Sequence, residues 1–135
     1  MTTIFVARSL RLSKWGSDVG VSKHIFKLGV TDEPAKAVVA GGGWAGETDW
    51  ALLRQREVDS LDEAEIFERL QRKTRMIDPK LYPKLKGATG IFRASPEHVE
   101  NHILMSRVLA GEAERVEIKL KPADFADYLI NNALK

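Results

Sequence analysis

A chain of 135 residues, 44% hydrophobic and 30% charged, carries apolar side chains enough for one ordinary domain core and too few residues for a second full domain. No apolar run approaches the roughly 20 residues of a bilayer span, and the start lacks the basic, apolar, small-residue order of a signal peptide. A cytoplasmic location without a membrane partner is therefore the expectation. The absence of cysteine excludes disulfides and thiolate metal sites, whereas a net charge of +2 excludes nothing by itself.

Residues 2–8 read as a first strand, with Ile4 and Val6 on one face and Phe5 and Ala7 on the other. Residues 9–22, with Lys14, Trp15, Gly16 and Gly20, read as a long irregular loop, either functional or a hairpin extension onto which Trp15 packs. A second strand, residues 24–32, pairs with the first. Phe26, Leu28 and Val30 lie on one face, and Ile25, Lys27 and Gly29 on the other, which sets a charge beside a bare backbone. Asp32 is a candidate cap and Pro34 suits the first turn of a short helix over 35–40, which Gly41-Gly42-Gly43 must end. Trp44 and Trp50 flank a small polar turn, where they either anchor a loop to the core or stack on bases. The glycines match no phosphate-loop or dinucleotide fingerprint.

Residues 50–58 alternate as a third strand, Ala51, Leu53 and Gln55 against Leu52, Arg54 and Arg56. Ser60 and Glu63 form a capping-box pattern before a helix with the stripe Leu61, Ala64, Phe67 and Leu70. Glu63 falls inside that apolar arc and Glu65 outside it. A cap bond explains the placement of Glu63 as well as a functional role does. The acids run from Glu57 to Glu68, and the bases Arg69, Arg72, Lys73, Arg75, Lys80, Lys84 and Lys86 follow. Such a block could track a phosphate backbone, but on charge alone it more simply completes a solvated helix end. Residues 77–86 form an irregular connection and 89–94 a short strand. Ser95-Pro96 opens a helix that reaches about residue 110 and stops at Gly111. His98 and His102 stand four apart, but structural zinc wants four ligands and no third His or any Cys lies nearby. Residues 115–120 alternate weakly as an edge strand, and Pro122 opens a last helix with Phe125, Leu129 and Ile130 apolar.

Taken in order, Ile4-Phe5-Val6-Ala7-Arg8, then Lys27-Leu28-Gly29-Val30-Thr31 followed by Asp32-Glu33-Pro34, then residues 63–70 and 87–92, resemble the GIY-YIG nuclease family over about the first 104 residues. The nearest branch is the phage-type one whose second motif reads Lys-Ile-Gly. The resemblance implies an α/β (α+β) fold, a small mixed or antiparallel sheet flanked by helices. It covers a domain over 1–110, leaving 111–135 as a C-terminal strand and helix extension packed on the same domain or on a partner. It further implies a Mg²⁺-dependent endonuclease acting on DNA, with Glu63 as the single metal ligand and Phe5, Lys27 and Gly29 lining the same groove. Phe5 stands where the family has its first tyrosine, Ala37 where it has an arginine and Gly41 where some members carry a histidine. Lys27 or Lys36 then replaces the missing catalytic groups. Arg8, Arg69, Arg72, Lys73 and Arg75 are the expected DNA contacts, and the last helix is an expected surface for self-association. The alternative is a catalytically inactive nucleic-acid-binding or protein-interaction module.

Overall fold

Period-two alternation decides the layers. The computed structural model describes residues 2–21, 23–59, 62–72, 74–77, 82–85, 90–109, 111 and 120–134. In it, β1 (Thr2–Arg8) lies between β2 (Ile25–Thr31) and β3 (Ala51–Val58). The two-residue β4 (Arg75–Met76) and β5 (Ile91–Arg93) extend the sheet beyond β2, giving the order β3-β1-β2-β5-β4 with every pairing antiparallel. Ile4, Val6, Phe26 and Leu28 bury on one face and Phe5, Ala7, Ile25 and Ile91 on the other, as the alternation requires. This is the expected α/β fold, and its sheet is antiparallel rather than mixed.

Helices cover both faces. Leu12 of α1 (Leu10–Asp18) and Ala35 and Val39 of α2 (Ala35–Ala40) pack on the Phe5 face. On the Ile4 face lie Ile66 and Leu70 of α3 (Glu63–Gln71), Val99 of α4 (Pro96–Leu109), and Phe125, Leu129 and Ala133 of α5 (Pro122–Leu134). α5 is therefore part of the main core. Its apolar side is buried inside its own chain, with Phe125 4% and Leu129 0% exposed, so of the two expected placements for this helix it packs on the same domain. Among the described residues, no helix is long and apolar enough to cross a membrane.

Three local readings change. Residues 10–18 are helical where an irregular loop is expected. The Ser9 hydroxyl accepts from the Leu12 N–H at 3.1 Å as N-cap, while donating to the Asp49 carboxylate, which also accepts from the Arg11 N–H at 3.1 Å. In β3, a register shift opposite Val6 and Ala7 pairs Val6 with Arg54 and Ala7 with Leu52. Leu53 therefore joins Arg54 and Arg56 on the α5 side, where Arg54 meets Asp127 at 3.3 Å and Arg56 meets Asn131. At α3 the cap is Asp62, accepting from the Ala64 N–H at 3.1 Å, so Glu63 is the first helical residue and not the third. Ser60 and Leu61, and residues 115–119 of the expected edge strand, lie outside the described residues.

Candidate functional site

The sheet sets Lys27 between Ala7 and Ile91, with its side chain on the Phe5 face and only 5% exposed. The neighbouring β1 and β2 residues Phe5 and Gly29 are register partners, and the Phe5 ring lies over the glycine: a Cβ at Gly29 would stand 2.5 Å from Phe5 Cζ. Only a residue without a side chain admits the ring there. Trp44 closes the cluster, its ring centroid 6.1 Å from that of Phe5 and 5.3 Å from Lys27 Nζ. That separation is a cation–π contact when the amine is protonated. Trp44 in turn needs Gly42, where a Cβ would meet its ring at 2.6 Å.

At the start of β5 the two faces of the sheet come together. Gly90 has φ +77, and a Cβ on it would lie 2.5 Å from the Leu28 carbonyl oxygen, 2.7 Å from Phe67 Cζ and 3.1 Å from Lys27 Nζ. The Leu28 N–H donates to the Gly90 carbonyl at 2.9 Å, fixing that approach. α3 passes the same point, because Glu63, Ile66, Phe67 and Leu70 share one helical stripe. The half-buried Glu63 carboxylate thereby comes within electrostatic reach of Lys27. Burial pushes the Lys27 amine below its ordinary value, and the negative charge of Glu63 opposes the shift without cancelling it.

Comparison with family models, with curated proteins and with solved structures finds no match to this chain. The site is accordingly read from its own geometry.

Phe5, Gly29 and Lys27 share one face, and Glu63 approaches Lys27 across the start of β5. Lys36 is not among them. It is exposed on α2 beside a cleft with Asp32, Glu33 and Glu57, near Thr3, four strand residues from the Lys27 partner Ala7. At about 3.4 Å per residue, that is too far for Lys36 to stand in for a group at Lys27. Arg8 lies on the opposite face, lining a cleft with His24 and Phe125. Arg69 is half-buried near the end of α3, and Arg72 is exposed and paired with Glu68 at 3.7 Å. Lys73 and the Arg75 side chain lie outside the described residues. His98 is exposed, whereas the His102 ring packs edge-on against Tyr128 and its Nε2 meets the Asn131 amide at 3.3 Å. The two histidines therefore form no pair.

Trp44 and Gly90 are the members that the sequence did not reveal. Trp44 had a signal in Gly42 two residues before it. Gly90 had none, since its role depends on Lys27 and Phe67 arriving from elsewhere. Among the described residues, no group of three or more His, Asp or Glu could cage an ion. A single half-exposed carboxylate does suit Mg²⁺, which keeps most of its waters and takes remaining oxygens from a bound phosphate. Glu63 is the residue that would hold it.

Proposed function

We propose that this protein is a divergent nuclease-fold protein of the GIY-YIG type that acts on DNA, with Glu63 and Lys27 at its reaction centre. The observation that supports this reading most is the approach of Lys27, from the second strand motif, to Glu63, from the acidic helix, beside Gly90. The resemblance of the sequence motifs to the family implies the same groove for these two residues. Bound at Glu63, Mg²⁺ would supply positive charge to the phosphate under attack. Burial favours the neutral form of the Lys27 amine, the direction that a base needs, and in this reading its Nζ takes the proton of the attacking water, a task that the Phe5 ring has no hydroxyl to perform. Ala37 is exposed and adds no charge, so transition-state stabilisation is short of one arginine, a loss on the order of 10² to 10³ in rate.

A second reading is favoured by the same contact. An ammonium beside Glu63 competes with any cation for that carboxylate, which suits a domain that holds DNA without cutting it. Labelled single- and double-stranded DNA, incubated with Mg²⁺ or Mn²⁺ at low and moderate salt, separates the two. Slow metal-dependent cleavage that disappears in Glu63→Ala, with DNA retention intact, is the expected result. Salt-sensitive retention without cleavage in the native protein supports the binding module. Equal cleavage by Glu63→Ala, or neither cleavage nor retention, overturns the proposal.

A further inference from the structure

Between α2 and β3 the chain leaves ordinary backbone conformations. Gly43, Ala45 and Gly46 all take left-handed values, φ +58, +58 and +76, around the tight turn Trp44–Gly46. Glycine adopts such values freely, but Ala45 carries a Cβ, and among the described residues it is the one non-glycine with positive φ. A residue of this kind persists where its surroundings over-determine it, and such places gather at functional sites.

The surroundings here are specific. Trp50 Nε1 donates to the Trp44 carbonyl at 3.1 Å, and the two indoles meet edge to face with centroids 5.3 Å apart. Glu47 accepts from Lys84 at 2.8 Å in a partly buried ion pair. The Asp49 carboxylate accepts from the Ser9 hydroxyl and the Arg11 N–H at the start of α1. These contacts pin the segment on the C-terminal side of Trp44, while the bare Gly42 admits its ring on the other. The ring itself stacks on Phe5, which Gly29 admits in turn, and ends against the Lys27 amine that also approaches Gly90. A lysine side chain is a flexible four-carbon stem, and misplacing a reacting group by about 1 Å can cost about 10² in rate.

We propose that Trp44 is a positioning residue for Lys27, holding the amine at the Gly90 and Glu63 end of the groove and keeping bulk water from it. Phe5 is then the seat of the Trp44 ring, a use for an aromatic side chain without a hydroxyl. The strain at Ala45 goes into holding that ring in one place. The catalytic meaning of the placement rests on the nuclease reading, in which Lys27 takes a proton; the placement itself does not.

Acylation of the full chain with an N-hydroxysuccinimide ester, read lysine by lysine by mass spectrometry, tests the placement. In the native protein Lys27, 5% exposed, is expected to react at least about tenfold more slowly than the exposed Lys36. Trp44→Leu is expected to bring the Lys27 rate close to that of Lys36 with Lys36 itself unchanged, and Trp44→Phe to keep most of the protection. Gly42→Ala displaces the ring without removing it, so it carries the test should Trp44→Leu fail to fold by circular dichroism. With labelled DNA and Mg²⁺, Trp44→Leu is expected to lower the single-turnover cleavage rate about 10- to 100-fold at unchanged DNA retention, and Trp44→Phe to recover most of it. Shielding of Lys27 that depends on Trp44, without any cleavage by the native protein, upholds the placement and removes the nuclease reading alone. A native Lys27 as reactive as Lys36, a Lys27 rate unchanged in folded Trp44→Leu, or cleavage by Trp44→Leu at the native rate overturns the proposal.

Discussion

Lys27 is a buried base, and its burial has a measurable consequence for stability. Its folded value is depressed below the ordinary 10.5, so at any pH between the two the unfolded chain binds more protons than the native one. Stability therefore rises as pH climbs through that window, is fully gained above 10.5, and is lost as pH falls through the folded value. Urea melts at a series of pH values are expected to show this rise in the native protein and a flatter profile in Lys27→Met. An equal slope in both would assign the titration to another group. The glycines around Lys27 are as specific. Gly29→Ala drives a Cβ into the tip of the Phe5 ring, which can move, at a loss of about 1–3 kcal/mol. Gly90→Ala combines φ +77 with a backbone oxygen 2.5 Å away that cannot yield. The urea midpoint is expected to fall further for Gly90→Ala than for Gly29→Ala. The face shared by Phe5, Lys27 and Gly29 was legible from alternation because strand geometry is local. The approach of Glu63 was legible only as a carboxylate inside an apolar arc, and Gly90 was not legible at all, because its constraint comes from side chains distant in sequence.

At the scale of elements, the strands and long helices followed from periodicity, while errors arose where one residue type carries two meanings. Gly16 reads as a helix breaker, yet in α1 it is buried, and Leu12, Trp15, Gly16 and Val19 keep helical spacing. Ser9 supplies the start signal, and Asp49 from the segment before β3 strengthens it. Ser9→Ala is expected to lower stability by about 1 kcal/mol. The Ser9 hydroxyl, chief among several causes, holds the Asp49 carboxyl below its ordinary 3.8, so the contribution of that contact is present above 3.8 and lost as pH falls through the folded value. Thermal melts at neutral pH and at about pH 3 should therefore show the native protein and Ser9→Ala converging in acid. The β3 bulge was invisible for a different reason, since its position is set by pairing with Val6 and Ala7 and not by anything within residues 51–58. At α3, Ser60 and Asp62 both suit a cap. The choice of Asp62 puts Glu63 in the first turn, where the helix dipole favours its negative charge.

At the scale of the molecule, α5 joins α3 and α4 in covering the Ile4 face of the sheet and supplies the largest share of buried residues there among the helices. Without it Ile4, Val6, Phe26 and Leu28 would lose much of the layer that covers them, since Phe125, Ala126, Leu129 and Ala133 share their core. Leu129 is fully buried, and its truncation to alanine leaves a cavity at the meeting of α5 with the sheet. The loss expected for Leu129→Ala is about 2–5 kcal/mol, a large fraction of the roughly 5–15 kcal/mol that holds a domain of this size together. The polar variant Leu129→Asp adds the desolvation of an unpaired carboxylate and is expected to unfold the chain outright. Circular dichroism with size-exclusion chromatography distinguishes this from an interface role. A core position gives loss of helical signal in Leu129→Asp, and a cooperative transition at lower urea in Leu129→Ala without a change in association state. A folded Leu129→Asp that merely elutes as a smaller species would mean that α5 faces a second copy, and that the core drawn around Ile4 and Phe26 is closed by a different element.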